Sequence, residues 1–184
     1  MNARYVHPAH PHIVARNWFE VVGDTVRMEL SQGEYAAFEL ADLPLVAPYR
    51  WCAATFRWRT YAITQVRNEQ GRQVSVRMHR LIMGVADPEV LVDHRNLDGL
   101  DNRRRANLRV ATRPQNGWNC PRPRRNTSGY KGVTLDQKSG RYSAEIKVHG
   151  KTLYLGRFDD PVAAANAYDE AARRHHGEFA RTNY

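Results

Sequence analysis

Between residues 120 and 129 the chain reads CPRPRRNTSG, and this stretch sets the terms for any fold. Two prolines lack backbone donors, three arginines resist burial and the rest is small and polar, so the segment cannot furnish a core. Whatever lies on either side must bury its own apolar residues. With 184 residues, 42% of them hydrophobic, there is material for one ordinary domain or for two or three small ones. A 26% share of charged residues is that of a folded protein rather than a disordered chain.

Beyond the break, residues 129–184 read as a β-β-β-α unit. Tyr130 to Leu135, Arg141 to Val148 and Lys151 to Leu155 form three strands, separated by the turns DQKSG and His149-Gly150. Asp160 followed by Pro161 is an N-cap with proline at the first helical position. Val162, Ala165, Tyr168, Ala172 and His175 then recur every three or four residues, and Gly177 closes the helix. The alanine-rich helix face allows close approach to the sheet.

Before the break, residues 1–77 read as a β-rich module. Short alternating pieces occupy Trp18 to Ala36, SQGE at 31–34 is a turn, and Leu40, Leu43, Leu45 and Val46 are core candidates. Tyr49 to Val66 is dense in aromatic and β-branched residues and is expected to be strand; Trp51, Trp58 and Tyr61 could stack on nucleotides, but in a small β module they are expected in the core. NEQG at 68–71 is a hairpin turn, after which RQVSVRMHRLIMG continues as a strand and passes into a short helix. The opening His7, His10 and His12 stand on a proline-broken segment without the fixed geometry a metal site needs. Cys52 and Cys120, far apart and without a C-x-x-C pair, argue against a zinc knuckle or a disulfide scaffold.

No apolar run approaches the ~20 residues of a bilayer span, and the N-terminus lacks the apolar core of a secretion signal. A cytoplasmic protein without membrane contact is expected. Of the net charge of +9, an excess of eight falls between Arg95 and Lys131, with ten Lys or Arg against two Asp. Such a concentration suits a polyanion, and binding through it weakens with salt as counterions are released.

The stretch from Leu91 to Asn119, which overlaps that segment, holds Asp93, His94, Asn107 and Asn116. Phosphodiester cleavage needs an activated water and stabilisation of charge on phosphorus and the leaving oxygen, which one divalent ion can supply. Asp93 and Asn116 are suited to hold that ion, His94 to take the water proton, and Asn107 to fix the histidine. Val90-Leu91-Val92 is a short strand delivering Asp93 and His94 at its end, NLRVAT a second strand, and Gln115 to Asn119 a short helix.

At these residues a resemblance appears. MHRLIMG followed by VDHRNLDGLDNRRRANLRVATRPQN resembles the HNH endonucleases of the phage and intron homing type without zinc knuckles. The resemblance implies a ββα-metal nuclease core over 78–119 and a site-selective, metal-dependent DNA endonuclease that nicks one strand or cuts both. It makes His94 the general base, Asn107 its positioning residue, and Asp93 and Asn116 the ligands of magnesium, with manganese able to substitute. Arg95 to Asp98 depart from the family's usual turn.

The segment from 128 to 184 resembles the DNA-binding domain of plant APETALA and ethylene-response-factor regulators. GYKGV (129–133), RYSAEIKV (141–148), LYLGRF (153–158) and AAANAYDEAARRHHGEFARTN (163–183) carry the likeness. There a three-stranded sheet enters the major groove with the helix behind it. By position this implies contacts from Lys131, Glu145, Lys147 and Tyr154. Thr134 and Thr152 stand where plant members place arginines.

The expected fold is therefore α+β: an N-terminal β-rich module, a ββα-metal core, a basic linker over 120–128, and a three-stranded antiparallel sheet packed on one helix. The expected partner is double-stranded DNA, gripped by Arg103, Arg104, Arg105, Arg109, Arg113, Arg122, Arg124, Arg125, Arg141 and Lys151 beside the four residues above. No small-molecule cofactor is expected, the protein acts as monomer or dimer, and the resemblance points to a bacterial or phage-infected cell. The alternative is a DNA-binding regulator with an inactive nuclease-like core. An RNA-binding reading lacks a row of stacking aromatics on the sheet.

Overall fold

The computed structural model describes residues 5–7 and 10–184, with side chains from Ala15 onward. The side chains of His7, His10 and His12 lie outside the described residues. The chain divides into two units, Met1–Ala111 and Thr112–Tyr184, and the architecture is α+β with several antiparallel sheets and few helices.

In the first unit β1 (Tyr5–His7) pairs with β2 (His10–Ala15). A meander of β3 (Phe19–Val22), β4 (Thr25–Glu29) and β5 (Tyr35–Glu39) follows. Alternation orients it: Val26, Met28, Ala36 and Phe38 are buried, while Arg27 and Glu29 face out. The single turn α1 (Leu43–Val46) adds Leu43 and Val46 to that core but leaves Leu45 exposed, because one helical turn can bury only one side. Trp51 is buried, its Nε1 donating to the Val46 carbonyl (2.9 Å). Asn17 serves two backbone segments at once: its amide accepts from Trp51 N (2.9 Å) and donates to the carbonyls of Trp51 (2.9 Å) and Glu29 (2.8 Å).

A second sheet contains β6 (Cys52–Phe56), β7 (Arg59–Arg67) and β8 (Gln73–Arg77). Ala53, Ala62 and Thr64 point to the core, and the register puts Phe56, Arg59, Tyr61, Arg67 and Arg77 together on the other face. NEQG makes the expected turn, with Gly71 at φ 73. The β6–β7 turn uses Arg57-Trp58 instead, with Arg57 at φ 57. Trp58, expected in the core, therefore sits on a hairpin tip and is 75% exposed. β8 passes directly into α2 (Met78–Ile82), which buries Met78 and Ile82, and β9 (Leu91–His94) pairs antiparallel with β10 (Leu108–Ala111).

The second unit begins with α3 (Arg113–Trp118), closed by a capping box in which Thr112 N donates to Gln115 Oε1 (2.8 Å) and Gln115 N to Thr112 Oγ1 (3.4 Å). Strand, strand and helix thus follow in the expected chain order, but the division into units falls between β10 and α3. β11 (Val133–Leu135), β12 (Tyr142–Val148) and β13 (Lys151–Phe158) form the three-stranded antiparallel sheet, and α4 (Pro161–His176) packs on it. His149 (φ 46) and Gly150 (φ 79) supply the two left-handed residues that a two-residue hairpin requires. Asp160 caps α4, accepting from Val162 N (3.1 Å) and Ala163 N (3.0 Å). Ala164, Ala165, Tyr168, Ala171 and Ala172 face the sheet, with His176 rather than the expected His175 completing the inner face. A Cβ at Gly132 would fall within the Tyr168 ring, so the small residue there sets how closely helix and sheet approach.

The stretch 120–128, expected as a linker, is bonded into its own unit. Arg122 donates to the Asn126 carbonyl (3.0 Å), and the Asn126 amide donates to the carbonyls of Tyr130 (2.9 Å) and Val133 (2.8 Å). No helix among the described residues is long and apolar enough to cross a membrane.

Candidate nucleic-acid interface

Two of the residues expected to form a cleavage centre, Asp93 and Asn107, are held in structural bonds. Asp93 and Arg109 are paired across β9 and β10, and Asp93 Oδ2 accepts from Arg109 Nε (2.9 Å) and Nη2 (2.8 Å). Both are buried, Asp93 to 1% exposure, so its charge is neutralised within the protein. Asn107, expected to fix His94, spans the intervening loop instead: its Oδ1 accepts from Asn96 N (2.9 Å) and its Nδ2 donates to the Asp101 carbonyl (2.6 Å). The amide facing His94 is that of Asn102, with Oδ1 3.5 Å from Nε2. Asn102 falls within the same Asn-rich turn, and composition offers no means of choosing between the two.

His94 is buried in a small aromatic cluster that sequence reading missed. The His79 ring stands edge-on to it at 4.8 Å, and the Tyr61 ring lies 5.4 Å from His79 and 5.9 Å from His94. Burial pushes the His94 imidazole below its usual pKa, against the opposing bond from Asn102. Burial, then the charges of His94, Arg77 and Arg80, takes His79 down to about 2. Asn116 belongs to α3 in the second unit. Among the described residues no group of three or more His, Cys, Asp or Glu is placed to hold a metal ion.

The arginine run expected on a phosphate backbone is also engaged. Arg103 pairs with Asp101 (2.8 and 2.7 Å), Arg104 with Asp42, and Arg105 with Glu39 (3.6 Å). Burial alone would raise the Asp101 carboxyl, but the Arg103 bonds hold it below the ordinary range. Arg109 is buried against Asp93. Arg103, Arg104 and Arg105 thus tie the 95–107 loop to an acid of its own, to one on β5 and to one in the turn after β5, while Arg109 links β10 to β9.

The second unit presents a different surface. In β12 the residues alternate, with Ala144 and Ile146 toward α4 and Glu145 and Lys147 exposed. The ladder places Tyr154 beside Glu145, Thr152 beside Lys147, and Arg157 and Thr134 beside Ser143. Arg157 was missed because β13 carries a bulge between the partners of Ala144 and Glu145. Leu155 is the extra residue, and it shifts the alternation so that Tyr154 and Arg157 share a face. Lys131, expected on this face, instead donates its ammonium to the carbonyls of Trp118 (2.6 Å) and Cys120 (2.7 Å), and its burial lowers its pKa to about 8. Arg141 is paired with Asp159 (2.7 Å). Lys151 is exposed at the β12–β13 turn, and Arg113, Arg122, Arg124 and Arg125 are exposed on the segment leading in.

Two further features hold this sheet in place. The buried Asp169 carboxylate accepts from Asn183 N, Asn183 Nδ2 and Tyr184 N, all within 3.0 Å, and the Asn183 amide in turn bonds both backbone groups of Lys131. Trp118 stacks on His176 at 4.3 Å with their planes 7° apart, and His176 Nε2 lies 3.0 Å from the Lys147 carbonyl. The outer face is thus fixed from behind at both ends.

No protein-family model matches the chain. It is 45% identical over 62 residues to APETALA2-like protein 2 of rice (Oryza sativa subsp. indica), a match covering 34% of this chain and 14% of the relative. AP2-like ethylene-responsive transcription factor TOE2 of Arabidopsis thaliana is 45% identical over 62 residues, covering 34% and 13%. Dehydration-responsive element-binding protein 2A of rice is 41% identical over 64 residues, covering 34% and 23%. The chain therefore spans less than a quarter of the length of these relatives, and relatives of the AP2/ERF type cover about a third of the chain. The likeness found is to regulators and not to nucleases, which overturns the expectation of an HNH endonuclease. The buried ion pair gives Asp93 and Arg109 a structural role.

Proposed function

We propose that the protein is a DNA-binding regulator whose reading element is the outer face of the β11–β12–β13 sheet. The similarity of about a third of the chain to AP2-type transcription factors carries this reading. The face has the chemistry for it. A twisted antiparallel sheet of this width fits the major groove of duplex DNA. Lys147 and Arg157 are donors for phosphate oxygens or for the O6 and N7 of guanine, and Glu145 is an acceptor for the cytosine amino group. Thr134, Ser143 and Thr152 are short enough to let the backbone come close. Arg113, Arg122, Arg124 and Arg125 extend the positive surface along the chain leading into the sheet.

The test is binding of the full chain to duplexes selected from a random pool, measured by fluorescence anisotropy at several salt concentrations. Lys147→Ala with Arg157→Ala is expected to lower affinity about tenfold or more and to flatten the salt dependence, by about 0.9 in slope for each phosphate no longer neutralised. A folded wild-type protein that selects no duplex from the pool would sink the reading.

A further inference from the structure

The β6–β7–β8 sheet of the first unit carries a surface to which the AP2-type likeness assigns nothing. Residues 52–77 contain five arginines and one acid, Glu69. Arg59, Arg67 and Arg77 share one face, Arg57 stands on the hairpin tip, and Arg72 follows the β7–β8 turn. None of the five is paired with a carboxylate among the described residues. Arg77 instead lies over the rings of Phe56 (5.3 Å) and Tyr61 (5.4 Å). The Phe56 and Trp58 rings are both exposed, Trp58 the more so, and Trp58 is flanked in sequence by two arginines. Beside them Phe56 and Arg77 line an open groove of about 690 Å³.

Trp58, flanked in sequence by Arg57 and Arg59, keeps most of its indole in solvent and stands outside the first unit's apolar core. Five guanidiniums with a single nearby acid fit a polyanion. Aromatic rings set among them add a second requirement, since a simple phosphate-rich surface offers them nothing. Duplex DNA satisfies both: its phosphates take the arginines, and its groove floor and base edges accept an inserted aromatic wedge. We propose that the Phe56–Arg59 tip and the arginine face behind it form a second DNA-contacting surface, in which Arg57, Arg59 and Arg77 neutralise phosphates and Trp58 inserts into a groove. This surface belongs to the first unit and stands whether or not the sheet of the second unit reads bases.

The experiment uses the full chain and a duplex of fixed length. Titration with DNA is followed by tryptophan fluorescence, with Trp58→Phe giving the share due to Trp58, and the salt slope is compared for Arg57→Ala/Arg59→Ala and for Lys147→Ala/Arg157→Ala. Unchanged thermal melting would show that the tip variants fold. We expect Trp58 emission to change on binding, the tip pair to lower the slope by about 1.8 on the basis of two phosphates, and both effects to persist in the Lys147/Arg157 background. If DNA binds while Trp58 emission and the tip variants' slope stay unaltered, the second surface is overturned and the reading of the second unit stands. If only the tip variants matter, the second unit's role falls and this one remains. Absence of binding to any duplex overturns both, and a stronger Trp58 response to single strands than to duplex overturns groove insertion.

Discussion

The first unit uses arginine in two ways. From Arg103 to Arg109 four guanidiniums each face a carboxylate, and two of these acids, Asp42 and Glu39, lie more than sixty residues away in sequence. On the β6–β8 sheet five arginines share one glutamate and none is paired with it. A scan for basic density selects the first group and overlooks the second. What a polyanion meets is charge left over after folding, and that depends on acids brought in from elsewhere in the chain.

The contrast can be broken most directly at Arg109. Arg109→Ala leaves the Asp93 charge buried without its partner and should cost about 3–5 kcal/mol of stability, read as a lowered urea midpoint. Replacing Asp93 and Arg109 together with apolar residues of similar volume should cost much less. The salt slope of DNA binding should be unchanged in both variants. A full-strength protein with a flattened slope would show that Arg109 had been misassigned to structure.

The arginine face of the β6–β8 sheet reaches His79 through Arg77, which with His94 and Arg80 adds to the effect of burial. The folded His79 pKa of about 2 lies below the ordinary histidine value of 6.5, so below pH 6.5 the unfolded chain binds the proton that the folded one refuses. Stability is therefore complete above pH 6.5 and declines as pH falls from there toward 2, by up to about 1.4 kcal/mol per pH unit for this one group. His94 is shifted in the same direction. Urea midpoints at pH 7.5 and 5.5 check this, and His79→Phe should reduce the difference. A midpoint that rises on acidification would contradict the sign.

The smallest effect is expected at Arg104. Its partner Asp42 is buried, but the guanidinium is itself nearly half exposed, so solvent screens the pair. Arg104→Ala should cost about 1 kcal/mol or less and leave the salt slope of DNA binding unaltered. A drop in slope would return Arg104 to the set of residues facing phosphate.

These differences also show what the sequence could and could not disclose. The α4 start at Asp160-Pro161, the His149-Gly150 hairpin and the strand order of the second unit were legible because each depends on residues close in sequence. Trp58 was misread because the β6–β7 turn is made without glycine, asparagine or proline, at Arg57 with φ 57. Lys131 looked like a surface contact because its acceptors are backbone carbonyls, which have no signature in the side-chain pattern. Asn102 and Asn107 differ only in where the loop carries them. The acids that neutralise Arg104 and Arg105 come from β5 and the turn after it, and such long-range pairing has no period to detect.

The bulge at Leu155 also bears on how the second unit could change by inheritance. Its side chain is shared by both apolar clusters beneath the sheet, while its backbone is the extra residue of the ladder. An in-frame loss of that one codon would turn β13 into a plain alternating strand in which Thr152, Tyr154 and Arg157 still point outward. The outer surface would survive the deletion and the core would absorb it. Loss of a neighbouring outward residue would do the reverse, so a strand with one spare position can change in length without first surrendering the face that meets its partner.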